Sequence, residues 1–230
     1  MFRAGLLTAL FAGTATAAIA GSPEPAPMPE PAPVAPPIED WSGAFIGVQA
    51  GGAQGDVDWL FPLAGTRADH DNDGGFGGLY AGYNWQSNSL VYGFDAEFNA
   101  SDISGSTPCP NPAFSCQTEL NSFGSIRGRI GGAMDRWHIY GAAGYAFADA
   151  DAQSINVATG APFYAADTSE TLDGWTIAFG AERKLGSNTV LRGEIAHYEF
   201  DTANYFQPSV APGNIGFYHT ALNIGLHLKF

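Results

Sequence analysis

From Trp41 onward, apolar and polar side chains alternate in a series of short segments. The clearest is 222–230, where Leu222, Ile224, Leu226, Leu228 and Phe230 alternate with Asn223, Gly225, His227 and Lys229. Successive side chains of a strand point to opposite faces, so the segment predicts a strand with one apolar row and one polar row. Seven earlier segments carry related signatures. Ala44, Ile46, Val48 and Ala50 share a face opposite Gly47, Gln49 and Gly51; over 76–86, Leu79, Ala81, Tyr83 and Trp85 oppose Tyr80, Gly82, Asn84 and Gln86. Over 90–100, Leu90, Tyr92, Phe94, Ala96 and Phe98 oppose Gly93, Asp95, Glu97 and Asn99. A fourth strand, 119–131, sets Leu120, Ile126 and Ile130 against Asn121, Ser125, Arg127 and Arg129. The fifth, 137–148, is rich in Ala and Gly, and its faces are not assigned. In the sixth, Trp175, Ile177, Phe179 and Ala181 oppose Thr176, Gly180 and Glu182, and in the seventh, 189–200, Leu191 and Ile195 oppose Arg192, Glu194 and Tyr198.

Two environments suit such rows, the core of a soluble sandwich and the hydrocarbon of a bilayer. The connections separate them. Short turns at 87–89, 132–136 and 185–188 alternate with long loops at 53–74, 101–118, 149–170 and 201–213, the rhythm of a membrane barrel. The strands have the length that a tilted strand needs to cross a bilayer, about 9 to 11 residues. The expectation is an all-β fold, an eight-stranded antiparallel transmembrane β-barrel with up-and-down meander topology over 41–230. A ten-stranded version would need another hairpin inside the first or third long loop.

The segment before the barrel divides in two. Residues 1–20 carry one early cation, Arg3, then an apolar run through Leu6, Leu7, Leu10 and Phe11, closing on Ala18-Ile19-Ala20. That pattern predicts a cleaved export signal. Gly13, Thr14 and Thr16 dilute it too far for a membrane anchor, which needs about 20 strongly apolar residues. Residues 21–40 alternate Pro with small or acidic residues, which predicts an extended polyproline spacer on the periplasmic side, with contact to the cell wall or a periplasmic partner as its secondary role.

Composition narrows the function classes. A formal net charge of -14 disfavours nucleic-acid binding. The 30 glycines and 13% aromatic content, against 14% charged residues, suit barrel strands better than a helix-rich soluble domain. No G-x-S-x-G, P-loop or dinucleotide fingerprint is present.

Several short motifs recur in an ordered spacing: Trp41-Ser-Gly-Ala-Phe-Ile-Gly, Ala81-Gly-Tyr-Asn-Trp85, Ile126-Arg-Gly-Arg-Ile-Gly131, Arg192-Gly-Glu194 and Leu228-Lys-Phe230. Together they resemble the small eight-stranded outer-membrane β-barrel family, in its opacity-protein-like, OmpA-like surface-antigen branch. The resemblance implies residence in the outer membrane of a Gram-negative bacterium among outer-membrane lipid and lipopolysaccharide. It also implies an assembly signal at Leu222, Ile224, Leu226, Leu228 and Phe230 for the barrel-assembly machinery, and a monomer with surface antigenicity, adhesion or ligand capture.

Chemistry concentrates on the predicted inner faces. Asp95, Glu97, Arg127, Arg129, Glu182, Arg192 and Glu194 all fall there, and unpaired charges in so narrow a lumen would be costly. They predict a charge-paired plug, with a narrow gated channel or porin-like conduit as the alternative. Cys109 and Cys116 predict a disulfide in the second long loop, which would stabilise it by roughly 2.5 kcal/mol in the chain-entropy model. The loop offers no His for a zinc site. Asp69, Asp71 and Asp73, followed by Gly74, resemble the start of a calcium loop and form a weak calcium candidate, although Tyr80 stands where the closing Glu belongs. No other cofactor is expected. His197 and Glu199, with Tyr218 and Thr220 nearby, offer a lipid-A-modifying enzyme as a minor alternative, but no Ser completes a nucleophilic set. His138, His219 and His227 read as structural. The expected function is a non-enzymatic barrel that contributes to envelope integrity and presents acidic loops for surface interaction.

Overall fold

The computed structural model describes residues 39–163, 168–206 and 212–230. The expectations for an export signal and for most of the Pro-rich spacer fall on 1–38 and lie outside the described residues. Ten strands follow in order: β1 (Gly43–Phe61), β2 (Thr66–Arg67), β3 (His70–Ser87), β4 (Leu90–Pro108), β5 (Phe114–Met134), β6 (Trp137–Asn156), β7 (Ser169–Lys184), β8 (Thr189–Phe200), β9 (Ala203–Tyr205) and β10 (Gly213–Lys229). All pair antiparallel. The order β1-β3-β4-β5-β6-β7-β8-β10 closes on itself through β1 against β10, from Phe45↔Lys229 to Leu60↔Asn214. Eight strands therefore form the ring, and β2 and β9 are short additions at the upper ends of β1 and β10.

The predicted short turns are present. Asn88 and Asp135 adopt positive φ there, a conformation that their short polar side chains tolerate. Two of the predicted long loops, 53–74 and 101–118, are mostly strand, and 149–156 of a third continues β6. The ring strands run to 21 residues in β5, about twice a bilayer crossing, so the barrel wall continues well past any membrane.

The outward row within the crossing is apolar, and its side chains are exposed to whatever surrounds the barrel: Ile46, Val48, Leu79, Phe94, Ile130, Ile177 and Ile224. Trp85, Tyr92 and Trp137 ring the short-turn end of this belt, and Tyr145 and Trp175 lie at its other edge, as aromatic girdles do. The unassigned fifth strand resolves in the same sense: Trp137, Ile139 and Tyr145 point out, while His138, Tyr140 and Ala146 point in.

Above the belt the polarity inverts. Val57, Trp59, Ile103, Leu120, Leu172, Phe200, Ile215 and Phe217 point inward and build an apolar core. This corrects the face expected for Leu120. The pairings of β5 with both neighbours shift register between Leu120 and Ser122 and flip the parity of β5 alone, so Leu120 is buried inside while Ile126 and Ile130 face out.

A charge at the belt centre should be expensive. Ile224→Arg, at a side chain 61% exposed on β10, is expected to lower the unfolding free energy in lipid vesicles by about 2–4 kcal/mol, whereas Asp71→Arg above the belt stays within about 0.5 kcal/mol. Urea titration of the vesicle-inserted protein measures both.

Candidate functional site

The seven charged residues expected in the lumen meet there, side by side and almost fully shielded from solvent. Arg127 is the hub. Its Nε lies 2.9 Å from Asp95 Oδ1, its Nη1 2.9 Å from Glu194 Oε1 and its Nη2 3.5 Å from Glu97 Oε2. Arg129 Nη2 donates to Glu182 Oε1 at 2.7 Å, and Arg192 bonds Glu194 while its Nη1 stands 3.7 Å from Asp95 Oδ2. Four carboxylates thus share three guanidiniums, whose planar forks can serve two acids at once.

Residues that the sequence alone did not assign to the network complete it. His138 Nδ1 lies 2.9 Å from the second Glu182 oxygen, Tyr140 donates its hydroxyl to Glu194 Oε2 at 2.6 Å, and Tyr198 donates to Glu97. Ser125 Oγ also donates to Glu97, at 2.9 Å, and Gln49 bridges Glu97 to Asn99. Ring faces take up guanidinium surface that no carboxylate reaches. Arg129 lies 3.9 Å above Tyr140 and Arg192 4.4 Å above Tyr80. Tyr140 needs the absence of a side chain at Gly180, where a Cβ would fall 2.4 Å from its ring. Tyr80 and Tyr198 share the inward parity of the acids and were recognisable by it; Tyr140 and His138 sit on the strand whose composition hid its faces.

The lumen is closed at three levels. At the short-turn end Trp41 is 1% exposed among Val91, Ala133 and Val190, with His138 5.3 Å away. Its backbone N–H donates to Gln86 Oε1, and Lys184 lies 5.2 Å above its ring while Nζ donates to Asp40 O and Glu39 Oε2. The charge network fills the middle. Over it lies an aromatic layer in which Phe123 contacts Phe76, Tyr198 and His219 at 5.0–5.2 Å, and then the apolar core. His219 and His227 are thus interior packing residues, His227 Nδ1 standing 3.1 Å from the Tyr80 hydroxyl.

The loop end is acidic outside. Asp56 and Asp58 on β1, Asp71 and Asp73 on β3, Asp102 on β4, Glu119 on β5, Asp149 and Asp151 on β6, Asp173 on β7 and Glu199 on β8 point away from the core. Arg67 is the only lysine or arginine at this end among the described residues; Arg136, Arg183, Lys184 and Lys229 gather at the short-turn end.

The calcium candidate takes a different form from the one expected. Asp71 and Asp73 lie on strand β3, beside Asp56 and Gln54 of β1, and Asp69 accepts the Trp59 backbone N–H. Acids alternating along one strand face stand roughly 7 Å apart, too far to wrap an ion as a loop does. Among the described residues no group of three or more His, Cys, Asp or Glu is placed to hold a metal ion. The Cys109–Cys116 disulfide is formed, with Cys116 buried in the upper core. His197 Nδ1 lies 3.1 Å from Thr220 Oγ1 on the outer wall, its ring beside Trp175.

Removing the hub cation leaves four buried carboxylates with two guanidiniums. Arg127→Met is expected to cost about 3–5 kcal/mol, against about 1 kcal/mol for Ser125→Ala, in equilibrium unfolding. A pH effect belongs to His70, which is buried above the belt with Nε2 2.8 Å from Thr118 Oγ1 and Nδ1 3.3 Å from Ala68 O. Burial pushes its imidazole below the usual 6.5, against the opposing pull of Asp69 and Asp71. The unfolded segment therefore binds the proton more readily, and this part of the stability is present above pH 6.5 and lost as pH falls below it. Amide exchange around Thr118 should accelerate on acidification, and His70→Gln should flatten that dependence.

The comparisons agree with this architecture. The family model described as "Outer membrane protein beta-barrel domain" matches residues 6–230. The 31 kDa outer-membrane immunogenic protein of Brucella melitensis is 30% identical over 97% of this chain and 97% of its own. The 22 kDa outer membrane protein of Rhizobium leguminosarum bv. viciae is 27% identical over 68% of this chain and 67% of its own. Among solved structures, the outer membrane protein OprG of Pseudomonas aeruginosa superposes with a TM-score of 0.51 at 13% identity, covering 82% of this chain and 96% of that one, a likeness of fold. A closed ring with an apolar belt and a polar lumen, matched over nearly its whole length by that family, is an outer-membrane protein of a Gram-negative bacterium, and the chain belongs to the outer-membrane protein β-barrel domain family.

Proposed function

We propose that the protein is a non-enzymatic, non-conducting barrel that contributes to envelope integrity and works through the acidic surface of its loop end. The observation that carries this reading is the three-level closure of the lumen by Trp41, the Arg127-centred network and the apolar core. Solute passage would have to break buried charge pairs and displace packed rings together, and diffusion pores use about 16 to 18 strands to avoid that problem. A channel is therefore the weaker reading. Catalysis is weaker still, since the outward His197 is engaged with Thr220 and no serine lies on β8 or β10.

With the wall closed to transport, what remains in contact with the surroundings is the lipid belt and the loop end. The Brucella relatives are named immunogenic outer-membrane proteins, which supports exposure of the corresponding surface there. Outer-membrane lipid and lipopolysaccharide surround the belt in this reading, the barrel-assembly machinery inserts the chain through its 222–230 strand, and the Pro-rich segment reaches toward the periplasm or cell wall. Calcium, if it binds, would have to be shared between the acidic wall and lipid phosphates.

Two measurements test the proposal. Purified protein in planar bilayers is expected to show no steady conductance, and sustained solute-permeable current would overturn the closed lumen. A strain lacking the protein is expected to become detergent-sensitive and to be rescued by the wild-type chain. A variant with Asp56, Asp58, Asp71 and Asp73 changed to Asn should insert normally yet rescue poorly; full rescue would remove the acidic surface from the function.

A further inference from the structure

The loop-end mouth of the barrel holds a feature that neither closure nor envelope integrity requires. Phe61 at the end of β1, Leu63 in the following turn, Phe114 at the start of β5 and Phe163 beyond β6 surround an apolar cup of about 340 Å³. Phe114 and Phe163 meet edge-on at 5.1 Å, and Cys109 lines one side, so the disulfide fixes part of the wall. The cup is blind. Beneath it Trp59 stacks against Phe61 and Phe206, above the sealed core.

Its setting is unusual for the outermost end of a surface protein. Leu63 is 76% exposed and Phe163 52% exposed, where water charges a free-energy cost for every apolar area left uncovered. The volume lies within the range of small-molecule sites, about 300–1,000 Å³, and such sites are largely preformed and apolar. A stapled wall reduces the entropy lost when a ligand is held.

We propose that this mouth is a binding cup for the apolar part of a small cationic amphiphile. The apolar lining selects a hydrocarbon or aromatic tail, and the charge around it selects the sign of the head. Asp58 and Asp69 stand beneath the cup at the upper end of β1, and Asp151 lies on β6 just before the lining Ser154, while Asp56, Asp71, Asp102 and Glu119 extend the same charge further down the outer walls; Arg67, next to the lining Thr66, is the single opposing lysine or arginine at this end among the described residues. A field of that sign concentrates cations and repels carboxylates over about 10 Å at moderate ionic strength. A fatty acid therefore fits the cup and is rejected by its surroundings, whereas an alkyl- or arylammonium satisfies both.

The test uses three probes of one shape, 4-phenylbutylammonium, 4-phenylbutanol and 4-phenylbutyrate, with the full-length protein in zwitterionic nanodiscs. Equilibrium dialysis against empty nanodiscs removes lipid partitioning. Saturable binding is expected to be about tenfold tighter for the ammonium than for the alcohol at low salt and weakest for the carboxylate, with the gaps closing at high salt. Ala64→Trp, which fills the cup, and Leu63→Asn, which strips one wall, should each weaken all three probes at least tenfold, with heat-modifiable gel migration verifying that each variant still forms the barrel. Absence of a saturable component would overturn the site, as would unchanged binding in both variants. Equal affinity for carboxylate and ammonium would overturn the assigned ligand class.

Discussion

Closure of the ring by β1 against β10 is the constraint from which the rest of the structure follows. Hydrocarbon offers no partner to a backbone N–H or C=O, so a sheet can sit in it only when its last edge is paired. Here that pairing is continuous from Phe45↔Lys229 to Leu60↔Asn214. Once the ring is closed with eight strands, its interior is only as wide as the side chains that fill it. Every inward residue must then be matched to its neighbours, because there is no bulk water in which an unmatched one can hide.

That matching changes character along the axis. In the belt the surroundings are apolar, and a strand apolar on both faces would have nothing to distinguish inside from outside. The inward row is polar there, and a one-residue slip would expose Asp95, Arg127 and Glu194 to lipid, so the charges specify register as well as fill space. Above the belt the surroundings are water, and the same wall is built the ordinary way, acids outward and apolar groups inward. The aromatic layer of Phe76, Phe123, Tyr198 and His219 lies at the junction of the two regimes. Tyr198 joins them chemically, its ring against Phe123 and its hydroxyl on Glu97.

This inversion also explains what could and could not be read from the residues. The belt strands were legible because lipid-facing rows such as Ile46-x-Val48 and Leu79-x-Ala81 are apolar and their partners polar. The upper halves resemble loops in sequence because the rows there carry Asp56, Asp58, Asp149 and Asp151 among small and polar residues, a composition usual in loops. The alternation persists through Asp56-Val57-Asp58-Trp59, but in the opposite sense. The acids of 69–73 resemble an ion-binding loop for the same reason: acids at every second position are also what a solvated strand face shows. Leu120 takes the face opposite to the one its periodicity implies because a bulge shifts parity, and a bulge leaves no periodic trace. The sequence implies the pairings of Arg127 only as a balance of charges; the donors Tyr140 and His138 lie on an Ala- and Gly-rich strand whose inward face only the fold defines.

The two interior regimes act in series, and this bears on how such a barrel can work. Opening the charge network alone would expose the underside of the apolar core, and loosening the core alone would leave the guanidinium–carboxylate pairs in place. A buried pair broken on one side leaves an uncompensated charge, while a parted apolar core leaves unfilled volume, and nothing in one compensates the other. A gate through the axis would therefore have to reorganise both together, including Trp41 and its Lys184 contact at the far mouth. The upper rim lies outside this series, its apolar groups partly exposed at Leu63 and Phe163 and the end of β4 tied to β5 by the Cys109–Cys116 bridge. Exposed apolar surface and unbalanced charge concentrate at that rim, so it is the loop end, and not the lumen, that presents unmatched chemistry to its surroundings.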